Sequence, residues 1–256
     1  VVIGHDCRFG GEMFAETVSK VLAFHKIKVK LAKGFVSTPM VSLGVVKEEA
    51  NLGIVITASH NPPNYNGYKL KGDFGGPLLP ENVSQVESLI PSENDIDVNS
   101  LNIQSYKKNG LISYIDLESM YCNHVESNFD LELINNSNMN FAYDAMYGSG
   151  MNVIKKLLPR TKLLHCDDNP GFLGVAPEPI YRNLKEFSDL IKTDDNIHCG
   201  LATDGDADRI VALDEKGSII RPDILLALFI PDIINKGDTI VYDVKCSKSL
   251  EDMIQK

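Results

Sequence analysis

Short apolar segments alternate with helix-type segments along most of this chain, and this alternation constrains its fold more than any other feature. Residues 1–5 and 28–32 are typical of strands, whereas 11–25 carries apolar residues at helical spacing. Leu52–Ile56 is a further apolar run typical of a strand. The stretch 38–50 is typical of a helix, and its second residue is a proline, which the first turn of a helix tolerates. Alternating strands and helices predict a layered α/β fold, in which helices cover a sheet.

The second half of the chain repeats this alternation, so the sequence predicts consecutive layered α/β domains with mixed sheets. The polar, turn-rich stretch 91–110 is typical of a linker. We expect domain 1 at residues 1–107, domain 2 at 108–218 and the start of an incomplete domain 3 at 219–256. After a Gly- and Pro-rich stretch at 61–80, the remaining expected elements are helices at 81–90, 111–129, 149–158, 184–192 and 223–234, strands at 140–145, 162–165, 199–203 and 239–244, and a hairpin at 209–221.

The composition restricts the partners of this chain. Its formal net charge of −10 argues against nucleic acid and against an anionic membrane. No apolar run is long enough to cross a bilayer, and no signal peptide is evident. The five cysteines are scattered and form no C-x-x-C pair, which is typical of reduced thiols in a cytoplasmic protein. We therefore expect a cytoplasmic protein. If its substrate is anionic, it must bind that substrate through a few local cationic side chains.

The loop after Leu52–Ile56 carries the most informative motif, T-A-S-H-N-P at 57–62. The prolines at 62 and 63 end the strand, and a residue before proline favours an extended conformation. Such a loop presents the hydroxyl of Ser59 and the imidazole of His60 at a strand end, where open α/β sheets bind ligands. The alternative interpretation is a turn whose polar side chains satisfy its own backbone.

A second loop, T-D-G-D-A-D-R at 203–209, concentrates three carboxylates. Carboxylates about 4 Å apart repel one another by about 4 kcal/mol per pair at an effective dielectric constant of about 20, which favours a bound cation. Asp204, Asp206 and Asp208 offer the oxygen ligands that Mg²⁺ prefers, although a solvated acidic turn would carry them too. An EF-hand does not fit, because its sixth position requires glycine and holds Arg209 here. A haloacid-dehalogenase-type phosphatase would require Thr or Val where Asp208 stands.

Three basic side chains accompany these loops. Arg209 directly follows the carboxylates and can form a fork on a phosphate or an ion pair within its own loop. Arg8 ends the first predicted strand, on the same sheet edge as Ser59 if the two strands are parallel. Lys69 follows the serine loop, and both it and Arg8 are either site residues or surface charges. Together these groups indicate phosphoryl chemistry assisted by a hard cation.

These motifs together resemble those of the α-D-phosphohexomutase superfamily, and specifically the phosphomannomutase/phosphoglucomutase family. The first loop is similar to the family's phosphoserine loop, and the second is similar to its D-G-D-x-D-R metal loop. The matching segments follow the family's order along nearly the whole chain: G-x-D-x-R at 4–8, T-A-S-H-N-P at 57–62, Y-N-G-x-K at 65–69, D-A-M-Y-G-S-G at 144–150, D-G-D-A-D-R at 204–209 and V-Y-D-V-K-C-S at 241–247.

The resemblance implies an intramolecular phosphotransferase that interconverts hexose 1-phosphates and 6-phosphates of mannose or glucose. Ser59 would carry a phosphoryl group, donate it to the hexose phosphate and take back the other phosphate of the resulting bisphosphate. Mg²⁺ would be held by Asp204, Asp206 and Asp208 and by an oxygen of the phosphorylated Ser59. Phosphoserine carries nearly two negative charges at neutral pH, so a cation and positioning groups suit this chemistry.

The resemblance also implies roles for the remaining candidates. Arg8 and Lys69 match positions that act as general base and acid, and His60 assists near the serine. Arg209 and Lys245 would bind phosphate or substrate.

Two alternatives stay open beside this interpretation. Phosphoglucosamine mutase is the nearest enzymatic one, since only the Y-N-G and D-V-K-C stretches favour the mannose/glucose branch. The other is a module that binds Mg²⁺ or sugar phosphates without turnover. The family has four domains, and its sugar-specificity loop, G-E-x-S-G, does not occur within these 256 residues. We therefore expect this stretch alone to be inactive.

Overall fold

Two five-stranded sheets form the centre of the computed structural model, which describes residues 1–233, 235 and 237–239. The first sheet has the order β4-β3-β1-β2-β5, and all its neighbours are parallel except β3 and β4. Its strands are β1 Val2–His5, β2 Val29–Ala32, β3 Leu52–Ile56, β4 Tyr68–Gly72 and β5 Ile112–Ile115. The parallel pairing of β1 with β3 brings the ends of both strands to one edge, as expected for Arg8 and Ser59.

The second sheet follows the same plan. Its order is β10-β9-β8-β6-β7, in which β6 pairs in parallel with β7 and β8, and the β8–β9 and β9–β10 pairs are antiparallel. Its strands are β6 Phe141–Asp144, β7 Lys162–Leu164, β8 Cys199–Thr203, β9 Ile210–Leu213 and β10 Ile219–Ile220. The prediction of layered α/β structure with mixed sheets is confirmed. The loop between β8 and β9 leads into a strand, which agrees with the exclusion of an EF-hand.

Helices connect and cover the two sheets. They are α1 Gly11–Phe24, α2 Thr38–Lys47, α3 Pro80–Ser88, α4 Ile103–Lys108, α5 Leu117–Asn128, α6 Leu131–Asn136, α7 Met151–Leu157, α8 Lys185–Lys192 and α9 Pro222–Ile233. Ser37 caps α2 by accepting a hydrogen bond from the Met40 N–H, and Pro39 occupies the first turn. This cap fixes Thr38 at the start of α2. No helix in the described part of the chain is long and apolar enough to span a bilayer.

The first sheet is buried on both faces. Val2 and Ile3 are neighbours in β1, so their side chains point to opposite faces, and both are fully buried. Ile3 belongs to the same hydrophobic cluster as Ala15 of α1, whereas Val2 clusters with Val45 of α2. Each fully buried aliphatic side chain contributes about 1.5–3 kcal/mol. The hydrophobic clusters on the two faces of the sheet hold β1 at its centre. The loop that carries Arg8 follows the carboxyl end of β1.

The cluster on the α2 side continues into the second sheet's helices. It includes Leu117 of α5 and Val153 of α7 together with Val2. Gly44 permits the close approach of α2 and α5, because a Cβ there would lie 2.5 Å from Leu117 Cδ2. This shared core brings the edges of the two sheets together.

Two local predictions were wrong, and one strand was not predicted. The Gly- and Pro-rich stretch 61–80 contains β4, and the linker expected at 91–110 contains the helix α4. The helix expected at 111–129 begins only at Leu117, because Ile112–Ile115 pairs with β2 instead. Asp116 ends that strand and caps α5 by accepting the Ser119 N–H. Most of the strand expected at 239–244 lies outside the described residues.

The domain limits stay a proposal. Since β5 belongs to the first sheet, we propose that domain 1 extends beyond Ile115, past the limit expected at residue 107. α5 packs between the two sheets' helices and is the connecting element. α9 lies in the stretch expected to begin domain 3.

Candidate functional site

The serine loop leaves β3 in a strained conformation. Ser59 has a φ of 53°, in the left-handed region that a residue other than glycine adopts at a cost of about 1–3 kcal/mol. Its backbone N–H donates to Thr57 Oγ1 at 2.8 Å, and the Asn61 N–H donates to the Ala58 carbonyl at 3.0 Å. Only about 7% of Ser59 is exposed. The contacts around the loop must therefore hold the serine against its conformational preference.

Arg8 provides most of these contacts. All five N–H donors of its guanidinium are used. Nε donates to Asp6 at 3.2 Å, and the two terminal nitrogens donate to loop carbonyls. These carbonyls belong to Ser59 (2.5 Å), Asn61 (2.6 Å), Pro62 (2.8 Å) and Tyr65 (3.2 Å). The Arg8 side chain has no exposed surface, and Phe172 lies 5.0 Å below its guanidinium. Arg8 therefore cannot reach a sugar hydroxyl in this conformation, which argues against its predicted role as general base.

Asp6 connects Arg8 to the serine loop. It is fully buried and accepts hydrogen bonds from the Arg8 N–H at 2.9 Å and from Thr57 Oγ1 at 2.5 Å. Burial raises the pKa of Asp6, although the bonds from Thr57 and Arg8 act in the opposite direction. Burial likewise lowers the pKa of Arg8, although the nearby Asp6 opposes this shift. The pair is a desolvated scaffold beneath the loop.

The carboxylate loop lies between β8 and β9. One oxygen each of Asp204, Asp206 and Asp208 lies within 4.8 Å of the others. Asp204 and Asp206 are fully buried, whereas Asp208 is exposed. The Asp208 and Arg209 N–H groups donate to Asp204 Oδ1 at 3.2 and 3.1 Å, and Ala207 has a left-handed φ of 52°. The backbone thus folds around the Asp204 carboxylate and brings the three carboxylates close together.

The two loops meet directly. Ser59 Oγ donates to Asp204 Oδ2 at 2.8 Å, although the two residues lie 145 positions apart in sequence. Lys69 bridges the same two parts of the chain, because its Nζ donates to Asp206 Oδ2 at 2.8 Å and to Asp208 Oδ2 at 3.2 Å. The structure therefore brings together the serine, the carboxylates and Lys69 that the sequence singled out.

The two buried carboxylates differ in their surroundings. Burial and the neighbouring Asp206 carboxylate raise the pKa of Asp204. Burial also acts to raise the pKa of Asp206, but the hydrogen bonds from Lys69 and Thr38 outweigh it and hold that pKa below its usual value. Burial opposes the charge of Lys69 as well, yet its bonds to Asp206 and Asp208 leave its pKa raised. Lys69 thus compensates part of the charge of the three carboxylates.

The residues fit a divalent cation. Asp206 Oδ1 is buried and has no hydrogen-bond partner within the described part of the chain, so a strong acceptor stays unpaired beside two other carboxylates. An unpaired buried acceptor costs about 1–3 kcal/mol, and more when it is charged. Oxygen atoms of Asp204, Asp206, Asp208 and Ser59 form an all-oxygen donor set, which suits Mg²⁺. The described chain thus contains the donor set that the metal prediction requires.

The other candidates lie at the rim. His60 Nδ1 lies 3.4 Å from Ser59 Oγ, which is long for a hydrogen bond. Arg209 is exposed and, with Ser59, His60 and Lys69, lines a cleft of about 400 Å³. Lys245 lies outside the described residues.

Thr38 was not among the site residues predicted from the sequence. Its Oγ1 donates to Asp206 Oδ2 at 2.5 Å, and its N–H donates to the Asp206 carbonyl at 2.9 Å. Both the side chain and the backbone of Thr38 therefore hold the carboxylate loop. The sequence marks Thr38 only as the start of a helix before Pro39. Its position after β2, on the same sheet edge as Ser59, is the one signal that could have indicated it.

Two family models match the chain. The model for phosphoglucomutase/phosphomannomutase α/β/α domain I matches residues 1–97, and the model for domain II of the same family matches residues 119–217. Together they cover more than half of the chain and include both loops of the site.

Curated relatives match over the whole chain. A phosphoglucomutase of Neisseria meningitidis serogroup B is 31% identical, and the match covers 100% of this chain and 54% of the relative. A phosphoglucosamine mutase of Methanococcus maripaludis is 32% identical, with 100% and 56% covered. This chain thus spans about half the length of the curated relatives it matches.

A solved structure supports the same assignment. It belongs to a protein from Thermus thermophilus whose description provisionally assigns it as a phosphomannomutase. The identity is 32% and the TM-score is 0.80, over 90% of this chain and 52% of the other. A family protein from Burkholderia thailandensis shares the fold at 24% identity, with a TM-score of 0.79 over 99% of this chain and 55% of the other. This chain belongs to the phosphoglucomutase/phosphomannomutase family of the α-D-phosphohexomutase superfamily.

Proposed function

We propose that the protein, at its full native length, transfers a phosphoryl group between Ser59 and a hexose phosphate. The observation that carries this proposal is the 2.8 Å hydrogen bond from Ser59 Oγ to Asp204 Oδ2. This bond joins a hydroxyl that can bear a phosphate to a cluster of three carboxylates, one of which has an unpaired oxygen. The substrate class is a hexose 1-phosphate or 6-phosphate, since the curated relatives are phosphoglucomutases and phosphoglucosamine mutases.

Each group of the site has a role in this proposal. Asp204, Asp206 and Asp208 hold Mg²⁺ together with an oxygen of phosphorylated Ser59. Mg²⁺ neutralises phosphate charge and so lowers the barrier to transfer. In the transfer to substrate, a sugar hydroxyl forms a bond to phosphorus, the bond from phosphorus to Ser59 Oγ breaks, and the hydroxyl proton passes to the departing Ser59 Oγ. In the return step Ser59 Oγ forms a bond to the phosphorus of the second phosphate, the bond from that phosphorus to the sugar oxygen breaks, and the Ser59 proton passes to the sugar oxygen.

The cationic residues position and exchange protons. Lys69 lies at the cleft beside the carboxylates and is the proposed proton carrier, because its side chain is 35% exposed and can reach the substrate. His60 stabilises charge beside the serine, and Arg209 binds a phosphate oxygen at the cleft rim. Arg8 holds the serine loop in its strained conformation and takes no part in proton transfer. The role of Lys245 in substrate binding stays a prediction.

Substitution of the serine tests the proposal. Ser59→Ala in the protein at its full native length should reduce the conversion of glucose or mannose 1-phosphate by orders of magnitude. It should also abolish the phosphorylated species in intact-mass spectra of protein incubated with glucose 1,6-bisphosphate. Ser84→Ala, in the exposed face of α3, is the matched control and should behave as wild type. A Ser59→Ala variant that keeps its activity would remove the serine from the reaction.

The choice of sugar stays open, and one observation favours a second candidate function. The phosphoglucomutase and phosphoglucosamine mutase relatives match almost equally well, so they do not distinguish the sugars. The D-V-K-C stretch that favours mannose or glucose lies outside the described residues. Since this chain covers only 54% and 56% of these relatives, binding of Mg²⁺ or sugar phosphate without turnover is the second candidate for this stretch alone. Binding without any phosphorylation of Ser59 would favour it.

A further inference from the structure

A tight turn at residues 144–150, between β6 and α7, packs against the backbone of the carboxylate loop. Its Ser149 is almost fully buried, with 1% exposed. The Ser149 N–H donates to the Gly205 carbonyl at 3.0 Å, and Ser149 Oγ donates to the same oxygen at 3.1 Å. The Gly205 carbonyl belongs to the peptide unit that leads into Asp206. Two donors from one residue thus fix the backbone immediately before a proposed metal ligand.

Three loops are stacked at backbone contact distance in this region. A Cβ at Gly148 would lie 2.8 Å from the Asp204 carbonyl oxygen and 2.9 Å from that of Gly205. A Cβ at Gly205 would lie 2.7 Å from the Ser59 carbonyl oxygen. The backbone of the turn therefore lies against the carboxylate loop at Gly148, and the carboxylate loop lies against the backbone of Ser59 at Gly205. A displacement of Gly205 therefore changes the relation between the carboxylates and the serine.

The turn is itself held in place by contacts with Asp144 and His165. Met146 and Tyr147 have left-handed φ values of 50° and 59°, a strained conformation that persists only when its surroundings determine it. Asp144 Oδ1 accepts the Met146 N–H at 2.7 Å and lies 2.9 Å from His165 Nδ1. The Tyr147 N–H donates to the His165 carbonyl at 2.9 Å. The turn is thus a firm support, fixed to β6 and to the residue after β7.

We infer that Ser149 is a positioning residue for the carboxylate loop, because it holds the Gly205 carbonyl while Thr38 holds the neighbouring Asp206. This inference rests on the proposed metal-binding function and adds a residue that touches neither metal nor substrate. Loss of the Ser149 hydroxyl removes one of two bonds to the Gly205 carbonyl and lets the adjoining peptide unit rotate. Supporting residues of this kind change metal affinity by about 10–100-fold when they are substituted.

The matched control is Ser188, which makes the same type of contact away from the site. Ser188 is 6% exposed, and its Oγ donates to the Gly217 carbonyl at 2.7 Å, in the turn between β9 and β10. Ser149→Ala and Ser188→Ala therefore remove equivalent buried hydrogen bonds. Both variants should lower the free energy of unfolding by a similar amount. An effect found in Ser149→Ala but not in Ser188→Ala therefore does not come from general destabilisation.

The experiment measures Mg²⁺ binding by calorimetry and amide hydrogen exchange of residues 204–209 in the protein at its full native length. Ser149→Ala should weaken Mg²⁺ binding about tenfold and accelerate exchange of the loop without metal, whereas Ser188→Ala should change neither. Ser149→Cys replaces Ser149→Ala if the latter folds too poorly to titrate, because a thiol fills similar space but donates weakly. It should shift both measurements in the same direction.

The outcomes separate this inference from the proposed function. Wild-type affinity and wild-type loop exchange in Ser149→Ala would overturn the positioning role, as would equal losses in Ser149→Ala and Ser188→Ala. If the wild-type protein binds no Mg²⁺, the proposed metal site is wrong. The exchange comparison then still decides whether Ser149 holds the loop.

Discussion

The Arg8 scaffold gives the sharpest quantitative prediction. Its five side-chain hydrogen bonds reach one carboxylate and four backbone carbonyls of the serine loop. In Arg8→Lys the charge remains, but an ammonium group has three donors, so at least two of the five acceptors lose their partner. A buried acceptor left unpaired costs about 1–3 kcal/mol. Asn61, Pro62 and Tyr65 are near the surface, where water can replace part of the loss, so we expect a total of about 2–3 kcal/mol.

Removal of the charge should cost more. Arg8→Met leaves Asp6 as a buried carboxylate without its cation, and breaking a buried ion pair in this way costs about 3–5 kcal/mol. This is a large fraction of a typical unfolding free energy of about 5–15 kcal/mol. Ser59 has a left-handed φ, and it should relax towards ordinary values once its carbonyl is released. We therefore expect phosphorylation of Ser59 to fall in Arg8→Lys while the protein is still folded.

Urea unfolding followed by circular dichroism measures the free energy, and intact-mass spectrometry measures phosphorylation. Arg209→Lys is the control, because Arg209 is exposed and lines the same cleft, so its substitution should change stability by less than about 0.5 kcal/mol. The reasoning is refuted if Arg8→Lys unfolds at the wild-type urea concentration. It is also refuted if Arg8→Lys loses stability but its Ser59 is phosphorylated to the same extent as in the wild type.

Two further predictions concern the support of the fold. The hydrogen bond to Asp144 raises the pKa of His165, so the stability that this pair contributes should be complete below about pH 6.5 and lost as pH rises through the raised pKa. The difference in unfolding free energy between wild type and His165→Gln should therefore be larger at about pH 5.5 than at about pH 8.5. Gly44→Ala should destabilise the protein by up to about 2 kcal/mol, as measured by thermal unfolding. The added Cβ would lie 2.5 Å from Leu117 Cδ2, overpacking costs about 1–3 kcal/mol, and the better helix propensity of alanine in α2 offsets about 1 kcal/mol.

Each of these has its own contrary result. For the histidine, a difference that is constant with pH, or that grows as pH rises, would show that the charged pair contributes no stability. For the glycine, Gly171→Ala is the control, because the nearest atom to its Cβ would be Asn169 Oδ1 at 3.7 Å. Equal melting temperatures for Gly44→Ala and Gly171→Ala would mean that α2 and α5 separate without cost.

Much of the candidate site could be predicted from the sequence, because its groups occur in short, continuous stretches. The seryl hydroxyl follows an apolar strand, and three carboxylates recur at every second residue of one loop. The strand–helix alternation likewise indicated the α/β layers. Ile112–Ile115 was misassigned as helix, because a short apolar segment becomes a strand only when a neighbour such as β2 offers its edge.

The sequence by itself determined which chemical groups this protein has and on which loops they lie, since strand pattern, proline and repeated aspartate are local properties of the chain. Only the tertiary structure decided how those groups are arranged relative to one another. It joined Ser59 to Asp204 and enclosed Arg8 beneath the serine loop. For Arg8 the resemblance had implied a role in proton transfer. The tertiary structure also brought Thr38 and Ser149 into hydrogen-bond contact with the carboxylate loop. These contacts depend on how two sheets pack through α2 and α5, and no local pattern records that packing.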